Sequence, residues 1–203
     1  GGNSGSAYLF DTTTGAQLFK LTAGDGAADD FFGWSVAISG SIGIVGARFD
    51  DDNGTDSGSA YLFDTTTGNQ LFKLTASDGA ANDLFGISVA ISGTTAIVGA
   101  YGDDDNGIFS GSTYLFDTTT GAQLAKLTAS DGAANDYFGQ SVAIFDDIIM
   151  VGAQGDDDNG SHSGSAYIYS SPAAATVPLP AGVWLLLSGA LALGWVRRKS
   201  ARA

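Results

Sequence analysis

Short apolar runs of five to seven residues recur along the first 170 positions, separated by clusters of Gly, Asp, Asn, Ser and Thr. Residues 59–100 contain, in order, SAYLFD, NQLFKLT, GISVAIS and TAIVGA. Runs of this length between turn-forming residues predict the strands of an antiparallel meander. In SAYLFD both alternating faces are apolar, so this strand should be covered on both sides. In GISVAIS, Val89 and Ile91 share one face, and small residues on the other permit close packing.

The runs repeat every 53 residues, a register marked by Tyr8, Tyr61, Tyr114 and Tyr167. Four strands per repeat is typical of a β-propeller blade. In chain order the pattern predicts two strands, two complete four-stranded units and three final strands, which do not close a ring. The predicted fold class over residues 1–170 is therefore all-β, with blades of four antiparallel strands in an incomplete ring.

Each unit also carries a Phe-Gly pair, and a Gly-Ala pair begins thirteen residues after its glycine. The pairs are Phe32-Gly33 with Gly46-Ala47, Phe85-Gly86 with Gly99-Ala100, and Phe138-Gly139 with Gly152-Ala153. These motifs resemble the FG-GAP repeat of integrin-type β-propellers, especially the versions in bacterial surface proteins. Arg48, Tyr101 and Gln154 stand where the family has proline. The segment in which the family places its calcium loop is here only ISGTTA or its equivalents, so the family's metal site does not transfer by position.

Composition narrows the possible functions. All 22 acidic residues are aspartate, and residues 1–176 carry 4 positive against 22 negative charges, a net charge of −18 that repels nucleic acid and anionic lipid. The chain has no cysteine and one histidine, His162, in a loop-like GSHSGS. No nucleophile elbow, P-loop or dinucleotide fingerprint occurs. Catalytic residues usually occur once, whereas the polar features here recur in every unit, so we predict a protein that is not an enzyme.

Three acidic loops, each with the sequence Asp-Asp-Asp-Asn-Gly, lie between two predicted strands. Asn-Gly favours a tight hairpin, because both residues accept positive φ. Three adjacent carboxylates repel one another unless they are solvated or bridged by a cation, which makes calcium (Ca²⁺) a candidate cofactor. The spacing is not that of an EF-hand, so a turn without a metal stays open as the alternative. The candidate metal ligands are Asp50, Asp51, Asp52, Asn53, Asp103, Asp104, Asp105, Asn106, Asp156, Asp157, Asp158 and Asn159.

Strand order also predicts where the charge lies. Consecutive antiparallel strands reverse direction, so the acidic loops should share one face with the loops that join successive units, such as SDGAAND. On that face we expect seventeen of the 22 aspartates, including Asp78 and Asp83, which could complete the shell of a metal held by the acidic loop at 103–106. The opposite face should carry Asp11, Asp64, Asp117, Asp146 and Asp147.

The tail has a different composition. After a linker at 171–176, residues 177–196 carry no charge, contain Trp184 and Trp195, and are followed by the basic residues Arg197, Arg198 and Lys199. This pattern predicts a single transmembrane helix through the inner membrane with a cytoplasmic basic end. The alternative, a buried core helix, leaves the basic stop unexplained.

Residues 177–203 resemble the PEP-CTERM sorting signals of Gram-negative bacteria in the variant that reads Val177, Pro178, Leu179, Pro180, Ala181. The resemblance implies processing by an exosortase, which releases or re-attaches the exported domain at the cell surface or in the extracellular matrix. Leu179 stands where the commonest form has glutamate, which leaves the exosortase subtype open.

Two functions fit these features. The first is an exported, non-enzymatic adhesion module that binds an extracellular protein or glycan through loop positions that differ between units, such as Arg48, Tyr101 and Gln154. The second is the C-terminal remnant of an exported enzyme, since the chain opens on Gly1 without an initiator Met and is expected to continue a longer protein. Further Phe-Gly units in the upstream coding sequence would favour the first.

Overall fold

The computed structural model describes residues 2–170, which contain thirteen β-strands and, within that range, no α-helix. The strands are β1 (Ala7–Phe10), β2 (Gln17–Leu21), β3 (Ser35–Ser39), β4 (Ile42–Ala47), β5 (Ser59–Asp64), β6 (Gln70–Leu74), β7 (Ser88–Ser92), β8 (Thr95–Ala100), β9 (Ser112–Asp117), β10 (Gln123–Leu127), β11 (Phe138–Phe145), β12 (Ile148–Ala153) and β13 (Ser165–Ser170). Among residues 2–170, no helix has the length and apolar character needed to cross a membrane. The predicted linker, sorting motif and transmembrane segment lie outside the described residues.

The strands form four antiparallel sheets in which sequential strands are hydrogen-bonded neighbours. The sheets contain β1-β2, β3-β4-β5-β6, β7-β8-β9-β10 and β11-β12-β13. This confirms the predicted series of two, four, four and three strands, and residues 2–170 form no closed ring. The repeat is visible in the register, because Val45 lies opposite Tyr61 just as Val98 lies opposite Tyr114.

The apolar residues pack between adjacent sheets. Strand β5 is buried from Ser59 to Phe63, which confirms that its two faces are covered. Phe85 of the second Phe-Gly pair lies edge-on to Tyr114 and Phe116, with ring centroids 5.5 and 5.8 Å apart. The Phe-Gly phenylalanine therefore fills the core of its own blade, and the same core cluster includes Leu62 of the preceding blade.

The motif glycines allow adjacent backbones to touch. Gly86 has φ of +90°, and a Cβ at this position would collide with the carbonyl oxygen of Ser59 in the preceding blade. A Cβ at Gly99 would collide with the carbonyl oxygen of Gly139 in the next blade. Gly86 combines positive φ with an absence of bulk, which only glycine allows, and Gly99 needs the absence of bulk alone, so the Phe-Gly and Gly-Ala motifs are requirements of blade packing.

The acidic loops are not the tight hairpins that Asn-Gly suggested. The first one joins β4 to β5 through residues 48–58, and of the Asn-Gly pair only Gly54 has positive φ. The predicted turn is present, since the Gly54 amide donates to the Asp51 carbonyl at 3.0 Å, but it lies inside a longer loop whose backbone pairs with the next blade. The amides of Asn82 and Phe85 donate to the carbonyls of Thr55 and Ser57 at 2.8 and 2.9 Å.

Candidate functional site

The acidic loops meet the inter-blade loops, defined here as residues 25–30, 78–83 and 131–136, on one face. In the second unit, Lys126 Nζ on β10 lies 2.8 Å from Asp78 Oδ2 of an inter-blade loop. The same ammonium lies 2.8 Å from Asp103 Oδ2 and 2.7 Å from Asp105 Oδ2 of an acidic loop. The predicted convergence of the two loop types is therefore confirmed.

The carboxylate at the centre of this group is fully partnered. Asp103 is only 4% exposed. Its Oδ1 accepts a hydrogen bond from Ser112 Oγ at 2.9 Å, and its Oδ2 accepts one from Tyr114 OH at 2.8 Å in addition to the ion pair. Tyr114 OH also lies 3.0 Å from Asp78 Oδ1. These partners compensate the buried charge, and removing one of them leaves a buried carboxylate that destabilises the fold.

The first unit repeats the arrangement. Lys73 Nζ pairs with Asp25 Oδ2 at 2.7 Å and with Asp50 Oδ2 at 3.1 Å, and it also pairs with Asp52. Tyr61 OH lies 3.0 Å from both Asp25 Oδ1 and Asp50 Oδ2, so its single proton is shared between the two carboxylates. We call each group of one lysine, one tyrosine and three aspartates a lysine node.

The third unit has the tyrosine and the carboxylates without the lysine. Tyr167 OH lies 2.9 Å from Asp131 Oδ1 and 2.8 Å from Asp156 Oδ2, so its single proton is shared between the two carboxylates. The position equivalent to Lys126 is Leu179, outside the described residues. Within residues 2–170 no lysine or arginine pairs with the third acidic loop.

The pKa shifts reflect this difference. Burial opposes the charge on Lys126, but hydrogen bonds to Asp103, Asp105 and Asp78 outweigh it and raise the pKa of the ammonium. Burial also opposes ionisation of Asp78, but Lys126 and Tyr114 hold its pKa below the ordinary value. In the third loop, repulsion from Asp156 and Asp131 raises the pKa of Asp158.

Some of the predicted metal ligands lie close together, and others make hydrogen bonds within their own loop. Two groups of three carboxylates lie close enough to hold a metal ion, and they are Asp25, Asp50 and Asp52, and Asp78, Asp103 and Asp105. Each already surrounds a lysine ammonium. Asp51 Oδ1 instead accepts the Asp56 amide at 2.8 Å, and the Asn53 amide donates to Ser57 Oγ at 3.1 Å. Among the described residues, no carboxylate of the third acidic loop lies in such a group.

Sequence reasoning missed the lysines. Of the four basic residues before position 177, Lys20, Lys73 and Lys126 stand 53 residues apart. A lysine that recurs in register with the acidic loops was the signal that could have predicted an ion pair between the lysine and the loop. Its partners lie 21 to 48 positions away in the chain.

A cleft of about 530 Å³ opens on the same face beside the second acidic loop. The rings of Tyr101, Phe109 and Tyr137 line it, with centroids 5.6 to 6.5 Å apart. Asp56, Asp83 and Asp104 also line the cleft.

Asp83 is the buried carboxylate of the cleft. It is 5% exposed, and its Oδ2 accepts the Ala80 amide at 2.7 Å. Burial, together with the charges of Asp103 and Asp104, raises the pKa of Asp83 to about 6 in spite of that hydrogen bond. The cleft therefore presents excess negative charge beside an aromatic surface.

One repeat earlier, the chain places its own cation on aromatic rings. The Arg48 guanidinium carbon lies 3.6 Å from the Trp34 ring centroid and 4.1 Å from that of Phe49. Tyr101 occupies the position of Arg48 in the second unit, and Gln154 in the third. The loop face thus keeps its three-aspartate sequence in every unit and varies these side chains.

The stacked antiparallel sheets and their shared loop face define a β-propeller-type repeat protein. The chain belongs to the FG-GAP repeat family, whose model matches residues 16–63, 69–116 and 122–169, more than two thirds of the sequence. A search of curated proteins found no match.

Proposed function

We propose that this protein is an exported, non-enzymatic binding and adhesion module of the bacterial cell surface or extracellular matrix. The observation that supports this proposal is the cleft on the loop face. Its lining includes loop positions that differ between units, such as Tyr101 and Phe109, on a scaffold of repeated four-stranded sheets. Loop side chains that vary on a repeated scaffold are typical of a recognition surface.

The partner in this proposal is an extracellular protein or glycan. Incubating the 203-residue chain with extracellular matrix should retain it on the matrix, and replacing Tyr101 with Ala should reduce retention. Digesting the matrix with protease or with glycosidase beforehand identifies the class of partner. If neither the wild type nor the variant is retained, the module does not bind matrix.

Export rests on the sorting signal. In this proposal residues 177–196 anchor the precursor in the inner membrane of a Gram-negative bacterium, and an exosortase cleaves near Val177–Ala181. Mass spectrometry of the cell-surface fraction should find chains that end near this motif. Surface chains that continue through Ala203 would contradict processing.

Calcium enters the proposal at the third acidic loop. There, Asp156, Asp157, Asp158 and Asn159, with Asp131 nearby, have no lysine partner among the described residues. Oxygen ligands of this type suit calcium better than magnesium, which demands a tighter octahedral shell. At the first two loops calcium must displace Lys73 or Lys126, so we propose weaker binding there.

A ligand that binds only the folded state raises its melting temperature. Calcium in excess should therefore stabilise the full chain relative to chelator at matched ionic strength, and magnesium should do so less. Asp158→Asn should reduce the calcium response, whereas Asp105→Asn, which removes a carboxylate from a lysine node, should leave it. If the wild type melts identically with calcium and with chelator, the acidic loops are turns without a metal.

A further inference from the structure

We propose that two copies of this chain associate head to tail, with strand β13 of one copy replacing strand β1 beside strand β2 of the second copy. Each junction then becomes a four-stranded blade, made of β11, β12 and β13 from one copy and β2 from the other. This inference concerns assembly and does not depend on the proposed binding function.

The first argument is that an open apolar face lies at each end of the series of sheets in residues 2–170. At one end, Val36 and Ile38 of β3 are exposed and line a cleft of about 470 Å³. At the other end, Met150 of β12 and Ile168 of β13 are exposed. Exposed apolar side chains that form a continuous surface mark contact sites for another surface.

The two open faces are the two halves of an interface that the chain already forms twice between its own blades. At the first internal junction, Ile44 and Leu62 pack in one core cluster with Val89 and Ile91 of the next blade. The side chains at the second junction have the same positions in the repeat, and they are Ile97, Leu115, Val142 and Ile144. The open face on β12 and β13 repeats the first half of this interface, and the open face on β3 repeats the second half.

A hydrogen-bonding slot is open beside the face on β12 and β13. At the second internal junction, Ser88 Oγ donates to the Gly139 carbonyl of the next blade at 2.7 Å. Ser141 is the equivalent serine of the third unit, and it lines a cleft of about 520 Å³ together with Gly152. A Cβ at Gly152 would approach only Ser141 among the described residues, so the slot has space for a backbone. By the same repeat, the acceptor for Ser141 is the Gly33 carbonyl of the second copy.

The sequence indicates which strand is exchanged. Residues 4–8 and 163–167 are both Ser-Gly-Ser-Ala-Tyr, so β1 and β13 are the same strand of the repeat. Within the described residues, β1 pairs only with β2, and β13 pairs only with β12. When β13 takes the place of β1, β2 keeps an equivalent neighbour and gains β11 and β12 behind it. Exchange of an identical element between copies is a low-cost route to a dimer.

Charge complementarity supports the same exchange. Lys20 on β2 is the equivalent of Lys126, lies opposite Tyr8 in the β1-β2 register, and forms no ion pair with the described residues. The third acidic loop has Tyr167 and Asp156 hydrogen-bonded to each other without a lysine from residues 2–170. With β13 beside β2, Lys20 of the second copy lies opposite Tyr167 and completes a third lysine node.

The number of copies follows from the number of strands. A copy whose β1 is displaced contributes twelve strands, which make three blades of four. Two copies therefore supply six blades, and β-propellers typically have about four to eight. A head-to-tail interface gives a ring when its rotation closes and a filament when it does not. We expect a closed dimer with two identical junctions.

The experiment cross-links the two faces in the 203-residue chain, which has no cysteine of its own. Val36→Cys and Met150→Cys chains are mixed in dilute non-ionic detergent, concentrated, and treated with a short bis-maleimide linker. Chelator is present throughout, because calcium at the third acidic loop would compete with Lys20. We expect covalent dimers in the mixture at about ten times the yield of either variant alone, because Val36 of one copy meets Met150 of the other.

The matched control is a mixture of Leu71→Cys and Leu124→Cys chains. Both leucines are exposed, on strands β6 and β10, which take no part in the junction. Equal yields from the two mixtures would mean unspecific association of apolar surfaces and would overturn the proposal.

A charge variant tests the junction itself. Ile38→Asp, added to the Val36→Cys chain, buries a carboxylate in the junction and should lower the dimer yield about tenfold. Leu124→Asp in the same chain should leave the yield within about twofold. Ile38 and Leu124 are 60% and 57% exposed in the single copy, so neither variant should change the melting temperature of dilute protein. Lys20→Met should lower the yield several-fold, also without an effect on single copies.

Light scattering of the wild-type chain supplies the mass. A particle that contains two chains at high concentration and dissociates on dilution supports the closed dimer. A single chain at every concentration, a mass that keeps growing with concentration, or an unchanged cross-linking yield in the Ile38→Asp variant would each show that the proposal is wrong.

Discussion

Replacing Lys126 with Met tests the lysine node directly. The methionine side chain keeps the apolar length of lysine but removes the ammonium that contacts Asp78, Asp103 and Asp105. The aspartate that matters most is Asp103, because it is only 4% exposed and cannot regain solvation without opening the loop.

The magnitude follows from the burial of the three pairs. Removing one partner of a buried ion pair costs about 3–5 kcal/mol. The side chains of Asp78 and Asp105 are 45% and 57% exposed, and exposed pairs contribute only about 0–1 kcal/mol each. Hydrogen bonds from Tyr114 and Ser112 still partner Asp103 in the variant. We therefore expect a loss of about 2–4 kcal/mol, which for a domain of this size lowers the melting temperature by about 5–15 °C.

Lys20→Met is the matched control. Lys20 stands in the same register on β2, is exposed, and pairs with no described carboxylate. This variant should melt within a few degrees of the wild type. Thermal unfolding followed by circular dichroism at neutral pH compares the three proteins.

The pH dependence gives a second readout. The folded-state pKa of Asp78 lies below its unfolded value of 3.8, so its contribution to stability is present above that pH and is lost as the pH falls. The difference between wild type and Lys126→Met should therefore shrink towards pH 3. Calcium should also stabilise Lys126→Met more than the wild type, because the three carboxylates are then open to a metal. If Lys126→Met melts like Lys20→Met at neutral pH, the node does not stabilise the fold.

Two further predictions concern single sites. The pKa of Asp83 is raised to about 6, so the folded state binds its proton more tightly than the unfolded chain, and stability from this group is lost as pH rises from about 4 to 6. Asp83→Asn should remove this decrease in stability and should stabilise the protein at pH 7 by about 1–3 kcal/mol. The measurement is the melting temperature as a function of pH. Asp147→Asn should keep the wild-type pH profile, and an unchanged profile in Asp83→Asn would refute the assignment. Gly86→Ala introduces both a collision with the preceding blade and strain at positive φ, so it should cost more than about 3 kcal/mol. Gly93 also has positive φ but lies beside open space, so Gly93→Ala should cost about 1 kcal/mol. If Gly93→Ala melts at as low a temperature as Gly86→Ala, the packing argument is wrong.

The strands and their order could be predicted from the sequence, because they depend on local information. Alternating and continuous apolar runs, bounded by turn-forming residues and repeated every 53 positions, determined the thirteen strands and the series of sheets. The reversal of direction between antiparallel strands then placed the acidic and inter-blade loops on one face. Asp78 and Asp103 could be brought together in this way without coordinates.

The partners of each aspartate were decided by tertiary structure. Lys126 on β10 reaches an acidic loop that precedes it by more than twenty residues and an inter-blade loop that precedes it by 48. Its position depends on how the edge strand of the sheet lies against both loops. The three carboxylates suggested a cation from sequence alone, and only the packing of these elements made that cation a lysine in two units.

The acidic loop itself shows the same limit. Asn53-Gly54 has the local preference for a tight turn, yet the loop spans residues 48–58, because its carbonyls pair with amides of the next blade. The cleft likewise joins Tyr101, Phe109 and Tyr137 from three separate loops. Local preference determines strands and turns residue by residue, whereas the approach of one blade to the next determines which loop backbones pair, which charges meet and where an open aromatic surface forms.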